Sequence, residues 1–415
     1  MHWLLRILLA TLLLPAISFA AQEAPSTTGI LVDELPGEQA EQIWAWTQRL
    51  IERDQIAGAS AQIVRKGKVV YRGVHGELEL DSGKLVQGDS LFRIYSMTKA
   101  ITSVAMMQLV EQGKVQLDDP ISKYLPEWEK VTVLSKDKEG AWIEVPVATP
   151  ITVRHLLRHT SGVASSFMEK GEIAKRYRAE ERRGKVKSLD ELSKRLASLP
   201  LKHQPGQGWT YGHSTNVLGR LVEVIAEQSF DTYLQEQIFD PLGMVDTAFR
   251  VSKEDLPRLA AVHQINDDNQ VTGVAPGYLA PFREEHPVPM GASGLISTLE
   301  DYGRFQSMLL GKGAFGDVRL LKQKTVALML DPNDGREQVP FARFGLGFML
   351  KGDRKAPRKV RFASWSGIAR TYFVNDHLTE TGSLLFTQTV PFSFRPGSDF
   401  ANMLEKVLVL EETAE

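Results

Sequence analysis

The chain of 415 residues contains no cysteine. This absence excludes disulfides, a thiol nucleophile and lipid attachment at a cysteine, and it is compatible with export to an oxidising compartment. The chain also lacks an excess of positive charge, since 49 lysines and arginines stand against 51 aspartates and glutamates, for a net charge of −2. Proteins that bind nucleic acid usually carry a basic surface. The composition therefore gives no indication of a nucleic-acid partner.

A long hydrophobic run is also lacking, apart from a short one that ends at Leu14. That run is too short and too early for a membrane span, and the small residues Ser18 and Ala20 behind it suit signal peptidase. We predict a signal peptide over residues 1–20 and a loose leader over 21–36. The protein would then be exported, periplasmic or extracellular, with no stable membrane span after cleavage. Retention of the segment as an anchor is the alternative.

No Pro/Ser-rich linker, repeat or low-complexity tract divides the remaining chain, so the sequence predicts a single catalytic domain over residues 37–415. Apolar and β-branched runs typical of strands lie towards both ends, and helical patterns fill the middle. Strands are expected at 59–64, 69–74, 344–350, 360–365, 371–374 and 383–389, and helices at 38–52, 96–112, 153–158, 189–199, 216–228, 230–239, 299–310 and 398–410. The predicted fold class is α+β, with a mixed, mainly antiparallel sheet built from both chain ends and flanked by helices. An all-helical lobe over about 115–285 is inserted in it.

A hydroxyl and an amine three residues apart mark the stretch Ser96-Met97-Thr98-Lys99. If a helix begins at Ser96, this spacing places Lys99 on the same face, within reach of the hydroxyl. A serine hydroxyl needs a neighbouring base as it attacks, and lysine can be that base only when it is neutral, in a desolvated site. We therefore predict Ser96 as the nucleophile of an acyl transfer and Lys99 as its base. An ordinary helix-capping serine is the alternative.

The S-x-x-K pattern alone is weak evidence, because Ser135-Lys136-Asp137-Lys138 also satisfies it. That second copy lies in a run of Lys, Asp, Glu and Gly that is typical of an exposed turn, where a lysine stays charged and solvated. Ser96 instead precedes a segment with apolar residues at helical spacing, which Gly113 would terminate. The context therefore favours Ser96 over Ser135.

Two further stretches could take part in the same chemistry. Tyr211, in a loop before an apolar helix, could pass the serine proton to a leaving group, although a packed loop aromatic is the alternative. The stretch Trp365-Ser366-Gly367-Ile368 ends a predicted strand, where a backbone N–H could hold an oxyanion.

These three stretches, in this order, resemble the serine β-lactamase and penicillin-binding-protein superfamily, and within it the β-lactamase-like esterases of the family VIII type. The resemblance runs from about residue 40 to 410. It includes Ile94-Tyr95-Ser96-Met97-Thr98-Lys99-Ala100, His155-Leu156-Leu157-Arg158-His159-Thr160-Ser161-Gly162, Asp240-Pro241-Leu242-Gly243-Met244 and Gly345-Leu346-Gly347-Phe348. It implies a β-lactamase/transpeptidase-like fold and an acyl-enzyme at Ser96, with Lys99 and Tyr211 as base and proton shuttle. It also implies an oxyanion hole made by the backbone N–H groups of Ser96 and Ile368.

The substrate-binding positions depart from the pattern of that superfamily. His213 stands where β-lactamases usually have the asparagine of Y-x-N, and Trp365 stands where they have the cation of K-T-G or H-T-G. An apolar Trp365 cannot meet a substrate carboxylate, which argues for neutral esters or amides. Arg370 could either restore that charge or narrow the pocket. The predicted substrate-binding residues are His213, Trp365, Ser366, Gly367 and Arg370.

Other catalytic centres lack their signatures. His155 and His159 have i, i+4 spacing without H-E-x-x-H, and no G-x-S-x-G occurs, so neither a metal, a cofactor nor an α/β-hydrolase triad is predicted. The charged residues 169–187 are expected to form a solvated helix or flap, and with residues 277–289 to wall the pocket.

The predicted function is that of an exported serine hydrolase acting on a small-molecule ester or amide, with cleavage of carboxylic esters, or acyl transfer, as the reaction. A β-lactamase or a D-amino-acid peptidase or amidase is the alternative within the enzymes. A non-catalytic penicillin-binding sensor is the alternative of another class. The sequence leaves the oligomeric state open.

Overall fold

The computed structural model describes residues 28–53, 55–275, 287–331, 338–339, 342–352, 359–391, 393 and 395–409. The predicted signal peptide, residues 1–20, lies outside them, as do residues 277–286 of the expected pocket wall. Within these ranges, no helix has both the length and the apolar character that crossing a bilayer requires.

Strands and helices occur close to where the sequence pattern predicts them. The strands are β1 Thr28–Asp33, β2 Gly58–Arg65, β3 Lys68–Gly76, β4 Phe92–Arg93, β5 Thr132–Lys136, β6 Trp142–Pro146, β7 His263–Ile265, β8 Val271–Val274, β9 Ile296–Ser297, β10 Ala314–Phe315, β11 Val318–Arg319, β12 Gln338–Val339, β13 Ala342–Phe344, β14 Met349–Gly352, β15 Val360–Ser366, β16 Tyr372–Asp376, β17 Thr381–Phe386 and β18 Thr389–Val390. The α-helices are α1 Gly37–Glu52, α2 Thr98–Glu111, α3 Val153–Leu157, α4 Gly171–Glu181, α5 Leu189–Ala197, α6 Ser214–Ala226, α7 Phe230–Leu234, α8 Asp240–Leu242, α9 Leu299–Leu310, α10 Gln323–Met329 and α11 Arg395–Val409.

Strands from both ends of the chain form one nine-stranded sheet in the order β1-β3-β2-β17-β16-β15-β14-β13-β12. All of its neighbouring pairs are antiparallel, and β2 beside β17 joins the N-terminal strands to the C-terminal ones. Because successive residues of a strand point to opposite faces, Leu385 packs with α1 and α11, whereas Leu384 and Phe386 belong to the larger core that includes α2 and α9. The predicted α+β class, with a sheet built from both ends, is confirmed, although this sheet is antiparallel throughout its described strands and not mixed.

Three local features differ from the sequence expectations. Residues 28–33, assigned to the leader, form the edge strand β1 and pair with β3. Residues 344–350, predicted as one strand, form the β13–β14 hairpin, because Gly347 takes a left-handed φ of +99° that turns the chain. The inserted lobe is mainly helical but also contains the β5–β6 and β7–β8 pairs. Ser135 therefore lies on β5 and not in the expected turn.

Helix α2 runs through the interior of the molecule because apolar residues occupy almost all of its faces. Every residue from Thr98 to Leu109 is buried, and a helix that is apolar all round belongs in a core. Burial of each of its Ile, Val, Leu and Met side chains stabilises the fold by about 1.5–3 kcal/mol. The helix contacts α6 and α7, so it holds the inserted lobe against the sheet. It ends before Gly113, as predicted, where φ is +74°.

Candidate active site

Ser96 lies in the middle of a 3₁₀ turn, Tyr95–Met97, that leads directly into α2. Tyr95 adopts a left-handed φ of +43°. Such a conformation costs an L-residue about 1–2 kcal/mol, so the surrounding structure must hold it. The Tyr302 hydroxyl, for example, donates to the Met97 carbonyl at 3.2 Å. Ser96 is thus presented on a fixed turn immediately before the helix, and the α-helix itself begins two residues later than predicted.

Lys99 lies one turn along and meets Ser96 as the spacing predicts. Its Nζ is 3.1 Å from Ser96 Oγ, and only 5% of the residue is exposed. Nζ also donates to the Ala292 carbonyl at 2.7 Å and lies 4.6 Å from the centroid of the Tyr211 ring. These contacts combine a carbonyl dipole with the negative face of a ring, and no carboxylate of the described residues pairs with the amine. The hydroxyl and the amine therefore share a desolvated site.

The segment of residues 290–297 supplies that carbonyl. Thr102 Oγ1 of α2 donates to the Gly291 carbonyl at 2.7 Å, which fastens the segment to the helix that carries Lys99. Gly291 is required because a Cβ there would lie 2.6 Å from the Thr215 carbonyl oxygen. Close approach to α2 on one side and to α6 on the other fixes the position of Ala292 against the amine.

Tyr211 packs within a cluster of aromatic rings. Its ring is stacked on Trp209 with centroids 6.0 Å apart, and it lies 5.1 Å from His159 and 5.4 Å from Trp365. Phe344 packs edge-on against Trp365 at 5.3 Å. Aromatic pairs at these separations add about 0.5–1.5 kcal/mol each beyond their buried area. The cluster therefore fixes the phenol ring against the buried amine.

The end of β15 lies beside the serine turn. Gly367 approaches the backbone before Ser96 so closely that a Cβ would be 2.5 Å from the Ile94 carbonyl oxygen. Thr371 Oγ1 donates to the same carbonyl at 3.4 Å. The N–H of the next residue, Ile368, donates to no backbone or side-chain acceptor among the described residues. An unused backbone donor therefore stands next to the turn that carries Ser96.

His213 lies immediately before α6, on the side of the site that Ala292 forms. Its Nδ1 is 3.0 Å from Nδ2 of Asn216, and Oδ1 of the same amide accepts a hydrogen bond from the Ala292 N–H at 2.9 Å. Burial, together with the charge of Lys99, lowers the pKa of His213 to about 4. The imidazole is therefore neutral at pH 7.

The remaining predicted substrate-binding residues have different surroundings. Trp365 is buried in the aromatic cluster, and Ser366 is half-buried at the last position of β15. Arg370 is buried, and its guanidinium donates to the Pro391 carbonyl and to Asn269 Oδ1, each at 3.3 Å. Burial lowers the pKa of Arg370. Its partners are neutral, and these bonds tie the turn between β15 and β16 to two neighbouring segments.

A cavity of about 320 Å³ opens beside His213. Its walls come from α4 and the segment that follows it, from α5, and from residues 287–290. Residues 171–181 of the charged stretch form α4, whose Ile173, Ala174 and Tyr177 are buried. The stretch is thus a largely solvated helix with an anchored inner face, and its C-terminal part lines the cavity.

The buried His159 is expected to make the free energy of unfolding depend on pH. It is 2% exposed, and burial, with the charge of Lys99, lowers its pKa from 6.5 to about 3. Below about pH 6.5, His159 of the unfolded chain binds a proton, whereas His159 of the folded chain binds it only near pH 3. The contribution of His159 to stability is therefore full above pH 6.5 and is lost as the pH falls. We expect His159 to lower the free energy of unfolding by about 3 kcal/mol between pH 7 and pH 4.

Urea unfolding of the wild type and of His159→Asn at the two pH values measures this contribution. Asparagine does not titrate, and it tolerates the left-handed φ of +57° at this position. The variant will be less stable at pH 7 because the ring contacts are lost, but its stability should change less with pH. An identical pH dependence in both proteins would contradict the assignment.

The sequence pattern did not indicate three of these contributors. Ala292 acts through its backbone, which leaves no side-chain signal, although the glycines around it mark a close approach. Asn216 appeared only as the start of a helix. His159 belongs to the stretch 155–162 that resembles the superfamily, but the sequence does not indicate that it packs against Tyr211. Within the described ranges no group of three or more acidic or histidine side chains is placed to hold a metal.

The family model described as "Beta-lactamase" matches residues 43–408 of this chain. The lovastatin esterase of Penicillium rubens is 32% identical over 309 residues, which cover 73% of this chain and 75% of that protein. The esterase EstB of Burkholderia gladioli is 34% identical over 271 residues, which cover 61% of this chain and 65% of that protein.

Among solved structures, EstCE1, "a hydrolase with promiscuous acyltransferase activity", superposes with a TM-score of 0.74 at 22% identity and covers 89% of this chain and 98% of its own. At that identity the likeness shows the fold alone, and it confirms the β-lactamase/transpeptidase-like architecture expected from the sequence. The family match extends through the serine turn, the tyrosine loop and the end of β15. The chain therefore belongs to the beta-lactamase family and is a serine hydrolase of that family.

Proposed function

We propose that the protein cleaves neutral carboxylic esters, or transfers their acyl group to another alcohol, through an acyl-enzyme on Ser96. The observation that carries the proposal is the 3.1 Å contact between Ser96 Oγ and Lys99 Nζ in a buried site. Two relatives named as esterases support an ester as the substrate.

Lys99 and Tyr211 act as the base pair in this proposal. As Ser96 Oγ attacks the ester carbonyl carbon, its proton moves to the Lys99–Tyr211 base pair, and the carbonyl electron pair moves onto oxygen. When the tetrahedral intermediate collapses, the C–O bond to the alcohol breaks, and the departing alkoxide takes the proton through Tyr211. Water, or a second alcohol, then attacks the acyl-enzyme and loses its proton to the same pair, which regenerates Ser96.

The oxyanion is held by the backbone N–H groups of Ser96 and Ile368. The Ile368 N–H has no acceptor among the described residues, and Gly367 holds it beside the serine turn. Donors fixed in a desolvated site stabilise a developing charge without reorganisation, and one such donor changes kcat by about 10²- to 10³-fold. The close packing at Gly367 therefore has a catalytic consequence.

Gly367→Ala is expected to lower kcat for an ester by about 10²-fold, because the new Cβ would push the Ile368 N–H away from the serine turn. KM should change less, since the donor acts mainly on the transition state. Steady-state kinetics with a p-nitrophenyl ester, with circular dichroism to confirm folding, provide the measurement. Gly37→Ala is the matched control, because a Cβ there meets nothing within 4 Å. A folded Gly367→Ala enzyme with wild-type kcat would contradict the assigned oxyanion hole.

The substrate-facing residues favour a neutral substrate. Trp365 supplies no cation at the end of β15, and its ring is committed to the aromatic cluster. The guanidinium of Arg370 is buried and bonded to neutral oxygens. A substrate carboxylate would thus have to displace existing bonds of Arg370 to reach a cation there.

The test compares substrate classes with one purified protein. Short-chain p-nitrophenyl esters, a chromogenic cephalosporin and D-alanyl peptides are incubated with it, and mass spectrometry of the quenched reaction locates any acyl group. Ester turnover with an acyl group on Ser96 is expected. Turnover of D-alanyl peptides without turnover of esters would overturn the proposal in favour of a peptidase. A stable adduct without turnover would favour a penicillin-binding sensor.

We propose further that the protein is exported, on the support of the N-terminal pattern alone. The mature protein would then begin at Ala21 and be found in the periplasm or the medium. Intact mass and cell fractionation test this proposal, and a cell-bound protein that keeps residues 1–20 would identify an anchor.

A further inference from the structure

The cavity beside His213 has an apolar interior. Its apolar lining consists mainly of Val186, Leu192, Leu196, Leu199, Val288 and Met290. At about 320 Å³ it has about twice the volume of a 150 Å³ cavity that admits benzene, so it can hold a group larger than one ring. Its size also falls within the range of small-molecule sites.

The charged residues on the wall of this cavity already have partners. Glu180 Oε2 is 3.0 Å from Arg183, although its Oε1 is buried without a hydrogen bond to any described residue, and Arg195 is 2.5 Å from Glu191. Glu181 accepts a hydrogen bond from Ser166 at 2.5 Å. Lys185, the fourth charged residue on the wall, also has an interaction partner. An anionic ligand would meet Glu180 and Glu181 and would have to compete for Arg195 and Lys185, whereas a neutral ligand would not.

Hydrogen bonding fixes which nitrogen of His213 carries the proton. The Ala292 N–H can only donate, so the atom of Asn216 that it meets at 2.9 Å must be the amide oxygen. The other end of the amide, Nδ2, therefore faces His213 Nδ1 at 3.0 Å. Because Nδ2 can only donate, Nδ1 must accept, and the proton of the neutral ring resides on Nε2.

The Nε2–H is thus a donor without an acceptor among the described residues, on a half-buried ring that lines the cavity. The same amide connects the ring to the catalytic centre, since it holds Ala292, whose carbonyl accepts from Lys99 Nζ at 2.7 Å. His213 is therefore linked through the Asn216 side chain and residue 292 to the amine that contacts Ser96.

We infer that this cavity binds the apolar body of a neutral ester, and that the His213 Nε2–H donates a hydrogen bond to an acceptor oxygen of that molecule other than the carbonyl oxygen that Ser96 and Ile368 hold. This inference rests on the proposed esterase function and names its substrate class: neutral molecules with a hydrogen-bond acceptor next to an aliphatic or ring body larger than benzene. Asn216 is a positioning residue, which sets the tautomer of His213.

Binding to Ser96→Ala tests the site without any turnover. The probes are 2-alkanones from four to ten carbons, which carry a carbonyl next to an apolar chain, and the matching carboxylates. Calorimetry should show affinity for the ketones rising roughly fourfold for each added methylene until the cavity is full, and weaker binding of the carboxylates. Equal affinity at all chain lengths, or tighter binding of the carboxylates, would overturn the inference.

Two pairs of variants in the Ser96→Ala background locate the site. Val186→Trp should fill the cavity and weaken binding of 2-decanone at least tenfold, whereas Lys187→Trp, on an exposed neighbour, should leave it unchanged. His213→Phe should weaken binding about tenfold, and His213→Gln, which retains a donor, should recover most of it. If His213→Phe bound 2-decanone as tightly as the protein with His213, the histidine would not be part of the site.

Nitrogen NMR of histidine-labelled protein reads the tautomer directly. The His213 signals should show a protonated Nε2 and an unprotonated Nδ1 at pH 7, and the reverse pattern would overturn the assignment. Since none of these measurements requires catalysis, ketone binding with no ester turnover would sink the proposed function alone. Ester turnover without chain-length-dependent binding would sink this inference alone.

Discussion

Ser96→Ala is expected to lower kcat/KM for a p-nitrophenyl ester by about 10⁴-fold or more, because the acyl-enzyme can no longer form. Ser96 Oγ lies 3.1 Å from Lys99 Nζ, so the variant also removes the hydroxyl proton that the base would accept. A small residual rate should persist, since the oxyanion donors and the binding site remain. Steady-state kinetics give the loss, and mass spectrometry should show that the acylated peptide disappears.

The chain offers a matched control for this variant in its second S-x-x-K sequence. Ser135→Ala removes a hydroxyl on β5, in the β5–β6 hairpin, next to the exposed residues Lys136 and Lys138. Its activity should equal that of the wild type. Appreciable ester turnover by Ser96→Ala, with the acyl group found on another residue, would refute the assignment of the nucleophile.

The sequence was sufficient to predict the part of the site that depends on local spacing. Ser96 and Lys99 are three residues apart, and the burial that brings their side chains together follows from the apolar pattern of α2. The sheet could also be predicted, because strand patterns at both ends of one chain must pair with each other if they are to bury their apolar faces. Helix ends were predictable where a glycine stops the helix, as at Gly113.

Contacts between distant segments could not be predicted in the same way. The Ala292 carbonyl reaches Lys99 across 193 positions of sequence, and a backbone atom carries no residue-type signal. Gly347 turns a stretch with strand-like composition into a hairpin, which alternation of side chains does not reveal. Trp365 likewise packs against the rings of Tyr211 and Phe344, which come from two other segments of the chain.

The three residues that depart from the superfamily pattern share one physical property in the structure. His213 is a neutral donor, Trp365 is a packed ring, and Arg370 is bonded to neutral oxygens. None of these residues presents a free charge for a substrate carboxylate, whereas the acylating pair is retained. These features support the proposed preference for an uncharged substrate.

Lys99→Met is expected to lower kcat/KM by about 10³- to 10⁴-fold, since the variant removes the group that takes the serine proton. Methionine has a similar length, so the packing of α2 should survive, and the main structural loss is the hydrogen bond to the Ala292 carbonyl. Loss of that bond costs about 1–3 kcal/mol of stability, which denaturant unfolding will report separately from the kinetics. Lys138→Met, in the second S-x-x-K sequence, should change neither quantity.

Lys99→Arg separates a base from a mere positive charge. Arginine keeps the charge and can reach the same acceptors, but its guanidinium is not deprotonated in proteins and therefore cannot accept the serine proton. If Lys99 acts as the base, the arginine variant should be nearly as inactive as the methionine variant. If Lys99 only stabilises charge, the arginine variant should retain activity within about tenfold of the wild type, and that result would transfer the role of base to Tyr211.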